Sequence, residues 1–295
     1  MELRALRYFL AVAREENITG AANFLHITQP TLSRQIAELE SELGKKLFMR
    51  TNRSTLLTAD GMRLRQRAEE ILSLVERTEV EIADNDSNLV GKIRIGAAEA
   101  GEVSLLAEAF ASLQREHPRL EVELFSGNAD AVKERLAHGL LDIGLLLAPV
   151  HLEPYEALAL PGKIRVGIIM CRDNPLATCA SITPDDLPKL KLLVSSRNEN
   201  PNYDLIRWSQ GTLQVKDINI QGRYDLLGNA VRFVKATGFC ALCIEGLAPQ
   251  LDPTLAFIPL EPVLTTRAFV VWKKYRLFSR PVEAFLTLLR ERYKK

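Results

Sequence analysis

The chain has 295 residues, 47% of them hydrophobic, with 38 Lys and Arg against 37 Asp and Glu, a formal net charge of +1. That length and apolar content allow two or more packed domains, and the even balance excludes a uniformly basic nucleic-acid coat. No apolar run approaches the roughly 18 residues that span a bilayer. The opening MELRALRYFL lacks the charged, apolar and small-residue order of an export signal, so a cytoplasmic protein with no membrane partner is expected.

The first element is a helix, with Leu3, Leu6, Leu10 and Ala13 at helical spacing and Phe9 and Val12 widening the stripe. Asn17-Ile18-Thr19 interrupts it, and a short second helix follows with Ala21, Ala22 and Leu25 inward. Thr28 is placed to cap a third helix whose first turn holds Pro30. Its stripe is Leu32, Ile36, Leu39 and Leu43, and Gly44 ends it. Pro30, Arg34 and Ser41 face away from that stripe. Two short apolar stretches then flank the polar turn Thr51-Asn52-Arg53-Ser54, the pattern of a small hairpin or wing, with Arg50 and Arg53 near its tip.

A long helix opens after Thr58 and runs to about Asp86. Leu64, Ala68, Ile71, Val75, Thr78 and Ile82 recur in heptad steps. So narrow a seam needs a partner, either a second copy of the chain or a neighbouring domain; a homodimer built on Leu64, Ala68, Ile71, Val75 and Ile82 is expected. The polar run from Asp84 to Asn88 is a linker. Beyond it strands alternate with helices: Lys92–Gly96, Val103–His117, Leu120–Phe125, Ala129–His138 and Leu141–Ala148. A second series holds Ile164–Cys171, Leu192–Ser195, Asn229–Lys235 and Phe239–Ile244, and the chain ends on a strand over Ala268–Trp272 and a helix over Pro281–Tyr293. Such alternation predicts parallel sheets covered on both faces.

Between Thr28 and Arg67 the bases Arg34, Lys45, Lys46, Arg50, Arg53, Arg63, Arg65 and Arg67 outnumber Glu38, Glu40, Glu42 and Asp60. This local excess suits phosphates or a solvated charged face. The cysteines Cys171, Cys179, Cys240 and Cys243 are expected to be thiols. Cys240 and Cys243 have metal-ligand spacing, but residues three apart on a strand point to opposite faces, so no metal is expected. There is no G-x-G-x-x-G after the first strand, no P-loop and no HExxH, and the four histidines are scattered. No cofactor is expected, and no enzyme.

The stretch from Leu6 to Gly61 resembles the DNA-binding domain of LysR-type transcriptional regulators. The matching residues are Ala21, Ala22, Leu25, Thr28, Gln29, Pro30, Ser33, Ile36, Leu39, Glu40, Leu43, Gly44, Leu47, Phe48, Arg50, Leu57, Thr58 and Gly61. The resemblance implies an α/β protein with a winged helix-turn-helix over 1–58 and a linker and dimerisation helix over 59–88. Residues 89–295 would then be a two-lobed effector domain like a periplasmic binding protein, with lobe I at 89–161 and 267–295 and lobe II at 162–266. It places Thr28, Gln29, Pro30, Thr31, Ser33, Arg34, Arg50 and Arg53 at promoter DNA. Gln bonds adenine and Arg bonds guanine in the major groove, although Arg34 can instead pair with Glu38, four residues on.

The resemblance further implies a dimer of dimers, contact with RNA polymerase, and a small polar metabolite as effector. In open α/β sheets ligands sit beyond the carboxyl ends of the strands, which marks Ala98, Glu99, Asn128, Ser195, Ser196 and Asp225. Many relatives bind carboxylates with a hydroxyl residue just after the first strand; here Ala98 and Glu99 stand there, pointing either to an amine-bearing ligand or to solvent. The alternative is a regulator of the same fold that takes no ligand or senses redox state through Cys171 and Cys179.

Overall fold

The computed structural model describes residues 1–50, 55–83, 89–149, 153–196, 201–247 and 252–293. The chain divides into two compact units, Met1–Asn85 with His138–Leu140, and Asp86–Ala137 with Leu141–Lys295.

The first unit contains α1 (Leu3–Glu15), α2 (Ile18–Phe24), α3 (Gln29–Leu43), the strands β1 (Phe48–Arg50) and β2 (Thr55–Leu57), and α4 (Ala59–Ala83). Its core joins Leu6, Phe9 and Val12 of α1 to Ala21 and Ala22 of α2 and to Leu32, Ile36 and Leu39 of α3. The two alanines have no bulk beyond Cβ, so α2 lies close against its neighbours. Asn17 caps α2 by accepting the N–H groups of Thr19 and Gly20 at 2.8 and 3.0 Å. Gly44 closes α3 in the left-handed region at φ 64°, where a side chain would be strained. Phe48 brings β1 into the core, its ring 5.2 Å from that of Phe9.

A buried carboxylate fixes where the hairpin leaves α3. Glu40, 7% exposed, accepts the N–H of Leu47 at 2.8 Å, the N–H of Phe48 at 3.2 Å and the Lys46 ammonium at 2.8 Å. Burial alone would raise its pKa, but Lys46 and the two N–H groups outweigh that and hold it below the ordinary value. The hairpin then returns through Thr58, whose hydroxyl donates to the Lys46 carbonyl at 2.7 Å and accepts the Gly61 N–H at 2.9 Å, opening α4. Gly61 is required by contact: a Cβ there would lie 2.1 Å from the Leu47 carbonyl oxygen.

The seam expected on α4 needs correction. Ala68 is wholly buried in the unit's own core, and Leu64 and Ile71 pack against that core. These three positions therefore face their own domain. Val75 is half-buried and Leu74 beside it is exposed. The side chain of Ile82 and the linker residues 84–88 lie outside the described residues.

The second unit is built on two sheets. The first runs in the order β4-β3-β5-β13-β6, from β3 (Gly91–Ala97), β4 (Leu120–Ser126), β5 (Ile143–Leu147), β6 (Tyr155–Ala159) and β13 (Ala268–Lys273). The second runs β11-β7-β10-β8-β9, from β7 (Ile164–Cys171), β8 (Leu192–Ser195), β9 (Ile220–Tyr224), β10 (Cys240–Ile244) and β11 (Leu255–Pro259), with β12 (Thr265–Thr266) pairing with β7. The chain thus builds four strands of the first sheet, crosses to the second, and returns through β13.

Both sheets are mixed, where the alternation of strands and helices predicts parallel ones. β3 runs parallel to β4 and β5, and β8 to β9 and β10, but β7 and β13 run antiparallel to their neighbours. A helix covers each face. α5 (Val103–Glu116) and the last helix pack Leu106, Phe110, Phe285 and Leu289 on one side of the first sheet, and α6 (Ala129–Ala137) packs Val132 and Leu136 on the other. On the second sheet, α7 (Pro201–Trp208) lies over one face and α8 (Leu227–Thr237) over the other. Cys240 and Cys243 fall in these two separate cores, as strand geometry requires, and no metal-ligand cluster occurs among the described residues. The last helix is α9 (Arg280–Tyr293).

Candidate functional site

In the first unit, α3 turns one face to the core and the other outward. Thr28, Gln29, Pro30, Thr31 and Arg34 are exposed and Ser33 is half-buried. Thr28 caps the helix weakly, accepting the Thr31 N–H at 3.4 Å, while the two hydroxyls bond at 2.8 Å. The helix start thus presents polar side chains and the positive end of the helix dipole together. Arg34, 80% exposed, donates from Nε to Glu38 at 2.8 Å, and this pairing raises its pKa. Solvent screens an exposed pair of this kind, so Arg34 exchanges Glu38 for another acceptor at little cost. Arg63, Arg65 and Arg67 likewise pair with acids three or four residues away on α4. Arg50 ends β1, its side chain outside the described residues, and Arg53 lies outside them altogether.

In the second unit, a cavity of about 540 Å³ opens at the carboxyl ends of the central strands. It brings together Ala98 and Glu99 after β3, Asn128 after β4, Ser195 ending β8 and Asp225 after β9. Ser196 is a correction: it is exposed, its N–H donates to the Tyr224 carbonyl at 2.8 Å, and it falls outside the lining. Asn128 has a local duty, because its side-chain oxygen accepts the Ala131 N–H at 2.9 Å at the start of α6. Its amide N–H₂ donors are the part of the side chain left to a ligand.

Glu99 reaches furthest. Its Oε2 accepts the N–H of Leu227, the first residue of α8. A Cβ built on Gly228 would lie 3.6 Å from the other oxygen, Oε1, so both oxygens sit over the first turn of α8. Leu226 at the N-cap of that helix supplies no side-chain bond, and Glu99 takes that role from the far side of the cavity. Sequence reasoning missed this partner, along with Asp204 and the apolar wall residues Val166, Leu242 and Ile244, while the strand ends do place Leu147 and Tyr224 at the cavity. The one signal was the absence of a capping side chain at Leu226, which implies a cap from elsewhere. Tyr224 donates its hydroxyl to the Leu242 carbonyl at 2.7 Å, and burial, with Cys243 and Glu99 nearby, pushes its pKa up. The walls around these polar strand ends are largely apolar.

A helix-turn-helix with an outward reading helix, carried on the same chain as an α/β fold with an open cavity, defines a DNA-binding transcriptional regulator with an effector-binding domain. The sequence matches the bacterial regulatory helix-turn-helix protein profile of the lysR family over residues 3–62, and the LysR substrate binding domain over residues 86–294. The chain belongs to the LysR family, whose members are regulators and not enzymes. It is 29% identical over 215 residues to YvbU of Bacillus subtilis, an uncharacterized HTH-type transcriptional regulator, covering 72% of this chain and 73% of that one. It is 34% identical over 190 residues to YnfL of Escherichia coli, covering 64% of each. Full-length CbnR in complex with its target DNA superposes with a TM-score of 0.76 over 99% of both chains at 22% identity, which speaks for a common fold. No helix among the described residues is long and apolar enough to cross a membrane.

Proposed function

We propose that the chain regulates transcription as an oligomer on promoter DNA, switched by a small effector held in the cavity of its second unit. Residues 1–58 bind DNA, 59–88 join and dimerise, and 89–295 sense, with one lobe on each sheet. The carrying observation is the outward face of α3, where Gln29, Pro30, Thr31 and Arg34 lie exposed opposite a stripe of buried Leu32, Ile36 and Leu39. Gln29 and Arg34 read bases, with Thr28, Thr31 and Ser33 beside them and Arg50 and Arg53 of the wing on the backbone. Effector binding shifts the two lobes, and the oligomer, a dimer of dimers, passes this to the DNA and to RNA polymerase.

Thiol chemistry is the weaker alternative. Cys240 and Cys243 are buried, and burial pushes the Cys171 and Cys240 thiols up, Cys240 to about 11, away from the thiolate that oxidants attack.

Gel shifts of the full chain on its own promoter region test the DNA reading. Affinity is expected to fall steeply between low and physiological salt. Arg34→Ala is expected to weaken specific binding by roughly 1–3 kcal/mol while random DNA loses less. Equal losses on both DNAs would make Arg34 a phosphate contact.

A further inference from the structure

The cavity holds an acidic group at the place where an open α/β fold most readily holds an anion. The first turn of a helix offers unpaired N–H groups and the positive end of a dipole. At α8 that position is taken by the protein itself, since Glu99 Oε2 accepts the Leu227 N–H and Oε1 lies over Gly228. The remaining charged lining residues, Asp204 and Asp225, are also acids, and no Lys, Arg or His lines the cavity among the described residues.

From this arrangement we infer that Glu99 is a specificity-determining residue: it fills the α8 N-terminus with a built-in carboxylate, so that the cavity rejects carboxylate-ended effectors and takes molecules with an apolar body and a hydrogen-bond-donating head, an amine or a hydroxyl. The inference rests on reading the cavity as the effector site. A carboxylate ligand would have to displace Glu99 from Leu227 or sit beside it as a like charge, and apolar walls make that repulsion costly. A donor head meets no such conflict. A carboxylate has two oxygens and about four lone-pair directions, so Glu99 keeps its bond to Leu227 and accepts a second donor. The apolar walls Leu147, Val166, Leu242 and Ile244 receive the body, and the volume suits a ligand of ordinary metabolite size.

The test uses the full-length chain and matched sets of primary amines, alcohols and carboxylates on phenylalkyl, cyclohexylalkyl and linear alkyl bodies. Each compound is titrated by calorimetry against the wild type, Glu99→Gln and Asp225→Asn. Glu99→Gln keeps an oxygen for Leu227 and removes the charge. In the wild type, amines or alcohols are expected to bind and the carboxylates of the same bodies to bind at least about tenfold more weakly. In Glu99→Gln that preference is expected to shrink by about tenfold or to reverse, and in Asp225→Asn to shrink less. Wild-type binding of carboxylates as tight as that of the matching amines and alcohols overturns the inference while leaving the site in place, and this comparison stands even where a variant fails to fold. An unchanged preference in a folded Glu99→Gln also overturns it. Silence from every compound with every protein removes the effector-site reading itself.

Discussion

Two glutamates in this chain do similar work in different settings. Glu40 and Glu99 each accept backbone N–H from another segment, seven and eight residues on for Glu40 and 128 residues on for Glu99, and so fix the start of another element. Glu40 lies inside the core of the first unit, takes two N–H groups and is matched by Lys46. Glu99 lies half-buried on a cavity wall, takes one N–H and stands near two further acids. A carboxylate sealed among apolar side chains is costly to disturb and holds one geometry. The same group on the wall of a cavity can accept a further donor when a ligand enters. The first fixes the hairpin relative to α3, and the second leaves α8 open to control.

The largest expected effect is at Glu40. Glu40→Ala strips two buried N–H groups and Lys46 of their acceptor and should destabilise the first unit by roughly 3 kcal/mol. Both tryptophans, Trp208 and Trp272, belong to the second unit, so tryptophan fluorescence follows that unit alone while far-UV circular dichroism follows both. The circular dichroism transition should move to lower denaturant and the fluorescence transition should stay. A common shift would mean that the units unfold together. Because the folded pKa of Glu40 is lowered, its contribution is complete above the unfolded value of about 4.3 and is lost as pH falls through the lower folded value. Glu40→Gln should therefore flatten the acid side of the first unit's stability curve. Asp186, brought to about 2 by Lys189 and Thr183, gives the second unit its own acid loss, which Glu40→Gln should leave unaltered.

A smaller effect is expected at Glu99. Glu99→Ala removes a helix cap at a solvated wall, where water can replace the lost acceptor, and should cost about 1 kcal/mol. Here the fluorescence transition should move. A loss as large as that at Glu40 would mean that Glu99 is sealed from solvent and the two sites are alike.

The same contrast governs what the sequence discloses. Around Glu40 much of the structure is local: Thr28, Pro30 and Gly44 are caps and turns within a few residues of what they serve, so spacing alone identifies them, whereas Thr58 and Gly61 meet Lys46 and Leu47 across the hairpin and are marked together only by the resemblance. The cavity joins positions a hundred residues apart. Alternation places Glu99 and Asp225 at strand ends, but nothing in either segment says that α8 starts opposite Glu99. The α4 stripe shows a related limit. Heptad spacing reveals an apolar face and not what covers it, and Ala68 proves to be covered by its own domain. The antiparallel runs of β7 and β13 are not legible in the alternation because the short strands β6 and β12 lead into them without a helix, while the alternation rule counts helices.

The smallest expected effect sharpens the role of burial within the first pair itself. Lys46 and Glu40 are partners at 2.8 Å, yet the lysine side chain is 79% exposed and the glutamate 7%. Lys46→Ala removes a solvated charge from the end of a flexible chain, and water can take its place on Glu40 Oε2. Leu47 and Phe48 keep their acceptor on Oε1. The loss should therefore stay within about 1 kcal/mol, as for exposed ion pairs, and high salt should reduce it further. Circular dichroism melts of Lys46→Ala, Glu40→Ala and the double variant at two salt concentrations make the comparison. If Lys46→Ala alone is as damaging as Glu40→Ala, the ammonium rather than the two backbone N–H groups holds the carboxylate in place, and the hairpin is fixed by charge pairing instead of by satisfied backbone.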